Sequence, residues 1–306
     1  MSVPPLRFDV PLGRYTTFGI GGRARYFVEV RSSGRLREAI AWGRESGMPV
    51  FVLGRGSNVL IGDGGFEGLV IRTAQSEGIE LLPGNRIRAE SGVQVERLVG
   101  LAAARGLSGL EHFAGIPSTL GGALWQNLHF LSPDRSRLTF LGELVEEATV
   151  LEGEAVHRVS REWFEFGYDA STLRSGTAIL LDATLRLTAA DPAVVHAAVR
   201  ANLTWRARRH PRGAATRSAG CVFRNPPGSS AARAIDAAGL KGRTVGGAAV
   251  SRRHANFIVN TGGATAHDVR TLIDLVAGEV AAHSGLRLEP ELALVGTFPH
   301  PAASAG

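Results

Sequence analysis

The chain has 306 residues, of which 44% are hydrophobic and 20% charged, a composition typical of a soluble protein of about two domains. Its single cysteine, Cys221, excludes an intramolecular disulfide framework and a multi-cysteine zinc site. The formal net charge is +6, yet residues 196–256 alone carry +11, from eleven arginines and Lys241 against one acid, Asp236. Such a concentration of positive charge predicts an anionic partner: nucleic acid, a membrane surface or a phosphorylated small molecule.

Helix and strand patterns alternate along the chain. The predicted strands lie at 26–30, 50–54, 69–73, 147–157 and 177–187, and the predicted helices at 35–47, 95–104 and 192–208, with a linker at 189–192. Near the end, Thr265 and Asp268 form a capping-box pattern. Apolar residues at helical spacing follow it until Gly285, which predicts a last helix with one buried face.

Two glycine-rich loops, at 53–66 and 115–123, are candidates for binding an anion. Glycine lets backbone N–H groups approach a phosphate closely, and the second loop is expected to open onto a short helix, whose N-terminus favours negative charge. Plain tight turns are the other interpretation. Neither loop matches G-x-G-x-x-G and no Walker motif exists, so a Walker-type ATPase is excluded and a Rossmann nicotinamide site is not supported.

Two residues are candidates for acid–base chemistry. Cys221 is either a small buried hydrophobic residue or a thiol that donates a proton, because a thiol with a pKa of ~8.5 is largely protonated at neutral pH. Glu291 follows Pro290 among leucines, so it is either a partly desolvated carboxylate or a surface one. The histidines at 210, 254 and 267 lack the spacing of metal ligands, and no metal site is predicted.

No segment predicts insertion into a membrane. Residues 1–10 contain no apolar run of signal-peptide length, and the uncharged span 112–133 is interrupted by Pro117, Gln126 and Asn127. We therefore expect a cytoplasmic protein without a membrane partner.

Several motifs, taken together and in their order along the chain, resemble those of the UDP-N-acetylenolpyruvoylglucosamine reductases. These are flavoenzymes that make UDP-N-acetylmuramate for peptidoglycan. The resemblance covers most of the chain. Its motifs are the two glycine loops and residues 16–22, 218–226, 238–242, 250–257 and 288–291. It implies an α+β chain, with an FAD-binding fold of the vanillyl-alcohol-oxidase type in two subdomains, 1–72 and 73–190, and an α+β substrate domain at 191–306.

The resemblance also implies cofactors and site residues. NADPH would reduce FAD and leave, and a UDP-linked enolpyruvyl amino sugar would then accept hydride at C3 from flavin N5 and a proton at C2. Cys221 would donate that proton, and Glu291 would help to stabilise or protonate the intermediate. The implied FAD contacts are Leu53, Gly54, Arg55, Gly56, Ser57, Asn58, Val59, Gly115, Ile116, Pro117, Ser118, Thr119, Gly121, Gly122, Ala123 and Asn127. The implied substrate contacts are Tyr168, Arg224, Asn225, Lys241 and His254.

The chain departs from the family pattern at two places. The family usually carries Tyr-Arg-x-Ser, whose arginine contacts the substrate carboxylate, whereas this chain has Asp169 there, which would repel a carboxylate. Arg174 is the nearest substitute, and we hypothesise that it takes the role. The second departure follows Asn127, where the family typically has Ala-Gly-Ala and this chain has His129 in the place of the glycine. The short span from 182 to 205 resembles the subclass that lacks an extra Tyr-bearing loop.

Two alternative functions stay open at this point. The Asp169 departure favours, as one of them, a flavoprotein of the same fold with altered or lost activity. The +11 segment favours, as the other, a basic nucleic-acid-binding protein. Because that segment has few aromatic residues and no recognisable binding motif, we expect no nucleic-acid partner.

Overall fold

The structure, a computed structural model, describes residues 5–131, 136–211 and 217–298. Helices and strands are mixed along these residues, which confirms the α+β class. The helices are α1 (Ser33–Glu45), α2 (Val95–Ala104), α3 (Leu120–Gln126), α4 (Thr172–Ser175), α5 (Pro192–Arg209), α6 (Ala231–Ala237) and α7 (Ala266–Ser284). The strands are β1 (Arg7–Pro11), β2 (Arg23–Glu29), β3 (Val50–Leu53), β4 (Val59–Ile61), β5 (Phe66–Arg72), β6 (Ile79–Leu82), β7 (Arg86–Glu90), β8 (Leu107–Ser108), β9 (His129–Leu131), β10 (Leu138–Phe140), β11 (Val145–Glu152), β12 (Ala155–Ser160), β13 (Ile179–Arg186), β14 (Thr188–Ala189), β15 (Thr244–Val245), β16 (Ala248–Val250), β17 (Ile258–Asn260) and β18 (Ala293–Val295).

The chain divides into two compact units, neither of which is a continuous stretch of sequence. Unit 1 consists of Met1–Leu6, Val28–Arg55 and Val70–Arg208, and unit 2 consists of Arg7–Phe27, Gly56–Leu69 and Arg209–Gly306. Unit 2 gathers distant segments because β4 pairs in parallel with β18, and because Asn260 Nδ2 donates to the Phe18 carbonyl at 3.1 Å. The division into three domains at 1–72, 73–190 and 191–306 stays a prediction.

The elements predicted in the first part of the chain are confirmed, with ends that differ by a few residues. The strands are β2, β3 and β5, which belong to a four-stranded sheet in the order β1-β2-β5-β3. The helix is α1, which buries Leu36, Ala39 and Ile40 on one face and begins with Ser32 as N-cap. Periodic apolar spacing was therefore sufficient to predict these elements.

Unit 1 contains a five-stranded antiparallel sheet in the order β12-β11-β13-β7-β6. Its core packs Ile87 and Leu185 of the sheet with Leu98 of α2. The prediction of one strand at 147–157 is wrong, because β11 ends at Glu152 and β12 begins at Ala155. Gly153 lies between them with a φ of 58°, the left-handed conformation that a tight turn needs. The predicted linker at 189–192 begins with the last residue of β14, which pairs with β8.

Unit 2 contains the three-stranded antiparallel sheet β15-β16-β17, and α7 packs on it. The predicted capping box is confirmed, since the Thr265 side chain accepts from the Asp268 N–H and the Asp268 carboxylate accepts from the Thr265 N–H. The apolar residues at helical spacing are buried, and the helix ends at Ser284 with Gly285 as its C-cap, at a φ of 71°, as expected. The buried residues of α7 are Ala266, Val269, Leu272, Ile273, Val276 and Val280.

Replacing Asp63 with alanine should destabilise unit 2 through the start of α7. The Asp63 carboxylate accepts the backbone N–H groups of Ala266 and His267 at 2.8 and 2.9 Å, two donors that lie at the positive end of the helix dipole. We expect the free energy of unfolding to fall by about 1–2 kcal/mol in urea titrations. Asp274→Ala is the control, because Asp274 lies exposed on the same helix and pairs only across its surface with Arg270. Equal losses in the two variants would contradict the capping role.

Candidate active site

The first glycine loop leaves β3 with four backbone donors that the protein does not use. Within the residues that the structure describes, the N–H groups of Gly54, Arg55, Gly56 and Ser57 donate no hydrogen bond to another residue. Gly56 is buried and has a φ of 62°, and a Cβ there would lie 2.5 Å from the Tyr15 carbonyl oxygen. A run of backbone N–H groups around a buried glycine suits a bound anion, because several donors can point at one negatively charged group.

The two glycine loops meet inside unit 1. A Cβ on Gly54 would overlap Thr119 Oγ1, so the loops approach as closely as glycine allows. Thr119 is the N-cap of α3 and accepts from the Gly122 N–H at 3.3 Å, which confirms the short helix expected after the second loop. Arg55 Nη1 donates to Gln94 Oε1 at 2.8 Å, beside the bridge that pairs Gln94 with Thr119. The structure thus brings together residues that are 65 positions apart in the sequence.

The other members of the second loop are fixed by the backbone around α2 and α3. The Ser118 carbonyl accepts from the N–H of the first residue of α2 at 3.0 Å, and the Leu120 N–H donates to the carbonyl of residue 93, just before α2, at 2.8 Å. The Gly121 N–H donates to the Ser91 carbonyl at 2.7 Å. Gly115 has a φ of 78°, and a Cβ there would lie 2.9 Å from Leu203 Cδ2 of α5. These bonds fix the backbone conformation of the second loop.

Asn127 ends α3 in a left-handed conformation, with a φ of 53°. Its side chain uses both of its polar ends inside the protein. Nδ2 donates to the Gly167 carbonyl at 2.9 Å, and Oδ1 accepts from the Gly142 N–H at 3.1 Å. The side chain therefore ties three segments of unit 1 together, while its contact with the cofactor stays a prediction.

A polar cluster in unit 1 surrounds Asp169, which is 0% exposed. Gln126 Nε2 donates to Asp169 Oδ1 at 3.1 Å, and His129 Nδ1 lies 3.7 Å from the same oxygen. The His129 ring packs on the exposed Tyr168 ring with centroids 4.5 Å apart. Burial lowers the pKa of His129 below its ordinary value, although the Asp169 charge acts to raise it. Arg174 Nη1 donates to the Asp169 carbonyl at 3.1 Å, so the predicted substitute cation does lie beside Asp169.

The two residues predicted for proton transfer lie on adjacent segments of unit 2. Cys221 forms an isolated bridge with Phe257, and the next residue, Val222, donates its N–H to the Asn256 carbonyl at 2.9 Å. On the other side, the Glu291 N–H donates to the Val222 carbonyl at 2.7 Å. Cys221 and Glu291 are both partly buried. The segments that carry Cys221 and Glu291 are thus neighbours within unit 2, while the roles of the two side chains stay predictions.

Asn256 is a residue whose role the sequence did not indicate. Its side chain clamps the segment that carries Cys221, because Oδ1 accepts from the Phe223 N–H at 2.9 Å and Nδ2 donates to the Phe223 carbonyl at 2.8 Å. Asn256 lies within the motif 250–257, but its partner Phe223 is 33 positions earlier in the sequence, and only the fold brings the two together. Asn256 therefore positions the segment that holds Cys221.

The remaining predicted substrate contacts lie around this segment. The Arg224 N–H donates to the Glu289 carbonyl at 3.0 Å, and Asn225 Oδ1 accepts from the Ala231 N–H at the start of α6. Lys241 Nζ pairs with Asp236 at 2.6 Å. His254 packs edge-on to the Phe257 ring with centroids 4.8 Å apart, and Phe257 is the residue that forms the bridge with Cys221.

Comparisons with known proteins decide the family. Residues 210–295 match the model of the UDP-N-acetylenolpyruvoylglucosamine reductase C-terminal domain, and residues 24–154 match that of an FAD binding domain. The UDP-N-acetylenolpyruvoylglucosamine reductase of Synechococcus sp. (strain JA-3-3Ab) is 40% identical over 300 residues, which cover 98% of this chain and 94% of the relative. That of Geotalea uraniireducens (strain Rf4) is 40% identical over 291 residues, covering 95% and 94%. The chain belongs to the UDP-N-acetylenolpyruvoylglucosamine reductase family.

A solved structure of this reductase family agrees. The crystal structure of the UDP-N-acetylenolpyruvylglucosamine reductase from Thermus caldophilus superposes with a TM-score of 0.79 at 34% identity, over 96% of this chain and all of that one. The expected FAD-binding fold and the resemblance to the reductases are therefore confirmed. FAD is the cofactor of the chain, and the N–H groups of Gly54 and Arg55, for which the described residues offer no acceptor, fit its pyrophosphate.

Two further observations concern the described residues as a whole. None of the helices within 5–131, 136–211 and 217–298 is long and apolar enough to cross a membrane. In those same ranges, no group of three or more His, Cys, Asp or Glu side chains is arranged to hold a metal ion.

Lowering the pH should destabilise this reductase through His254. Burial, and then the charge of Lys241, lower the pKa of His254 below its ordinary value. The unfolded chain therefore binds more protons than the folded chain once the pH falls below about 6.5, and stability is lost in that direction. We expect His254→Gln to reduce the drop in Tm between pH 7.5 and pH 5.5. His267→Gln, at an exposed histidine of α7, is the control, and an identical pH slope in His254→Gln and the wild type would count against this account.

Proposed function

We propose that this chain reduces UDP-N-acetylglucosamine enolpyruvate to UDP-N-acetylmuramate with NADPH as reductant, and that Cys221 supplies the proton. Membership of the reductase family over nearly the whole chain supports the reaction. The observation that supports the proton-donor assignment is that the segment of Cys221 is bonded, through the Val222 carbonyl and the Glu291 N–H, to the segment that carries the second acid–base candidate. This step belongs to peptidoglycan synthesis.

The glycine loops bind and orient the cofactor in this proposal. The backbone N–H groups of the first glycine loop would hold the pyrophosphate, and residues 115–123 would line the isoalloxazine ring. When bound, FAD takes hydride from NADPH and passes hydride to the enolpyruvyl double bond. The other FAD contacts proposed from the family pattern, Asn127 among them, stay proposals.

The protein residues handle the proton and the charge. Addition of hydride at C3 leaves negative charge at C2. A thiol can donate a proton to C2, because it is several pKa units more acidic than an alcohol. Glu291 lies on the neighbouring segment and would help to stabilise or protonate the same intermediate. The guanidinium of Arg174 meets the substrate carboxylate, since Asp169 cannot.

The remaining side chains bind the nucleotide sugar. Tyr168, Arg224, Asn225, Lys241 and His254 contact the substrate in this proposal. The +11 segment is then explained by a diphosphate, a carboxylate and NADPH, all of them anionic. Nucleic acid is not needed as a partner, and the nucleotide substrates favour a cytoplasmic location.

Two anaerobic half-reactions test the function directly. The purified yellow protein is first mixed with NADPH, and loss of the oxidised flavin absorbance is followed by stopped flow. The reduced enzyme is then mixed with the enolpyruvyl nucleotide sugar, and return of that absorbance is expected. Reduction by NADPH without substrate-dependent reoxidation would favour a flavoprotein with lost activity. Strong, salt-dependent DNA binding by a colourless protein would overturn the proposal altogether.

A further inference from the structure

The two departures from the family pattern contact each other. Asp169 replaces the family arginine, and His129 replaces the family glycine 40 positions earlier. In the structure His129 Nδ1 lies 3.7 Å from Asp169 Oδ1, and the side chains are 16% and 0% exposed. A buried carboxylate is expensive unless it is hydrogen-bonded, and Gln126 donates such a bond to Asp169, while the His129 ring lies against the same carboxylate oxygen. The histidine of one departure thus lies directly against the carboxylate of the other.

The same cluster fixes the backbone that holds Arg174. Asp169 has a left-handed conformation with a φ of 50°, which is uncommon for a residue other than glycine. In this conformation its carbonyl accepts Arg174 Nη1 at 3.1 Å, while its carboxylate points to Gln126 and His129. The guanidinium also lies over the Trp125 ring, 4.8 Å from the centroid. Arg174 is therefore held at two points, by a carbonyl and by an aromatic face.

Trp125 belongs to the same framework. Its carbonyl accepts the Ser171 hydroxyl at 2.7 Å, which joins the end of α3 to the residue that precedes α4. Trp125 and Gln126 are consecutive, so α3 offers the ring to Arg174 and the amide to Asp169. The stretch from Asp169 to Arg174 is in this way attached to α3 at three side chains.

Arg174 is the member of this cluster that keeps a positive charge. Burial lowers the pKa of His129, so its imidazole is neutral at pH 7. A guanidinium stays protonated at every pH at which the protein is folded, and it binds a carboxylate through two parallel hydrogen bonds. The cation that the family has at position 169 therefore has its counterpart five residues later.

We propose that the substrate-carboxylate cation has moved from position 169 to Arg174, and that His129, Gln126 and Asp169 are the positioning residues that hold it there. The inference rests on the proposed function and adds to it which residues position Arg174. Arg174 contacts the substrate, whereas Asp169 acts through Arg174 by orienting its carbonyl. Gln126 acts through Asp169 by donating a hydrogen bond to its carboxylate, and His129 acts through Asp169 by packing against that carboxylate.

Restoring the family pattern is the decisive experiment. The double variant His129→Gly/Asp169→Arg places the arginine back at 169 and removes the imidazole that would crowd it. Arg174→Ala is made in the wild type and in this double variant. We expect it to lower kcat/KM for the enolpyruvyl substrate by about 100-fold in the wild type and by less than about fivefold in the double variant. Losses of equal size in the two backgrounds would overturn the proposal.

A milder variant tests the positioning role without a buried charge swap. Asp169→Asn keeps the shape of the side chain, so FAD content and reduction by NADPH should match the wild type. Poorer placement of Arg174 should raise KM for the enolpyruvyl substrate about tenfold, with a smaller change in kcat. An unchanged KM in a variant that retains FAD would also overturn the proposal. If the wild type itself fails to turn over substrate, the proposed function fails instead, so the two failures are distinguishable.

Discussion

Replacing Cys221 with alanine should leave FAD binding and reduction by NADPH intact, and should lower kcat for the enolpyruvyl substrate by about 10²- to 10⁴-fold. The two half-reactions separate the steps. Hydride transfer from NADPH needs no proton from the protein, whereas completion at C2 does. In stopped-flow experiments the variant should therefore bleach with NADPH as fast as the wild type and reoxidise slowly with substrate.

Serine at the same position sharpens this result. Cys221→Ser keeps a hydroxyl that can donate a proton, and the family pattern has serine or cysteine at this place. We expect it to retain much more activity than Cys221→Ala, because the serine differs mainly in acidity and size. At high pH the rate of Cys221→Ser should fall less than the rate of the wild type, since an alcohol stays protonated where an ordinary thiol loses its proton.

A neighbouring residue provides the control. Ser218 lies three positions before Cys221 on the same segment and has no proposed chemistry, so Ser218→Ala tests whether any change in this segment slows the enzyme. Full turnover of substrate by Cys221→Ala would exclude the thiol as the proton donor. Loss of the NADPH half-reaction in that variant would instead indicate a disturbed fold.

The sequence predicted the elements whose signals are local. The last helix is the clearest example, because its capping box, its apolar stripe and its terminal glycine all lie within residues 265–285, and all three are confirmed. The helix at 95–104 is confirmed with the same bounds. Spacing and caps are properties of neighbouring residues, so they need no knowledge of the rest of the fold.

The errors and omissions concern contacts between distant residues. The hairpin of β11 and β12 was predicted as one strand, since alternation continues on either side of the turn at Gly153. The pairing of β4 with β18 joins residues more than 230 positions apart, and no local pattern encodes it. The clamp by Asn256 and the contact of His129 with Asp169 were missed for the same reason, because each joins a residue to a partner that only the fold brings near.

The candidate site itself was recognised by motif and then explained by the structure. The sequence placed Cys221 and Glu291 in separate motifs, and the bond from the Glu291 N–H to the Val222 carbonyl shows that the two segments are neighbours. The roles of the side chains stay predictions, because a motif gives the residue type and the fold gives only the position. The Asp169 departure could be seen in the sequence, but its contact with His129 could not.

Replacing Gly54 with alanine should weaken FAD binding by about 100-fold, through an overlap that the structure locates at one atom. Gly54 has a backbone conformation open to other residues, so strain in φ is not the reason. The new Cβ would overlap Thr119 Oγ1 and would also lie 3.3 Å from Thr119 Cγ2. The two glycine loops would have to separate, which would spread the N–H groups proposed to hold the pyrophosphate.

A second substitution tests this steric cause. In Gly54→Ala/Thr119→Ala the hydroxyl and the methyl group are gone, and the nearest remaining atom, the Cβ of residue 119, lies 3.4 Å from the new Cβ. The double variant should recover most of the FAD affinity, measured by quenching of flavin fluorescence, apart from the cap that Thr119 provides to α3. Gly100→Ala is the matched control, because a Cβ at this helical position of α2 has no atom within 4 Å. Since alanine is also the better helix former, Gly100→Ala should keep FAD and gain about 0.5–1 kcal/mol in stability. Undiminished FAD affinity in Gly54→Ala would mean that the close approach of the loops does not shape the cofactor site.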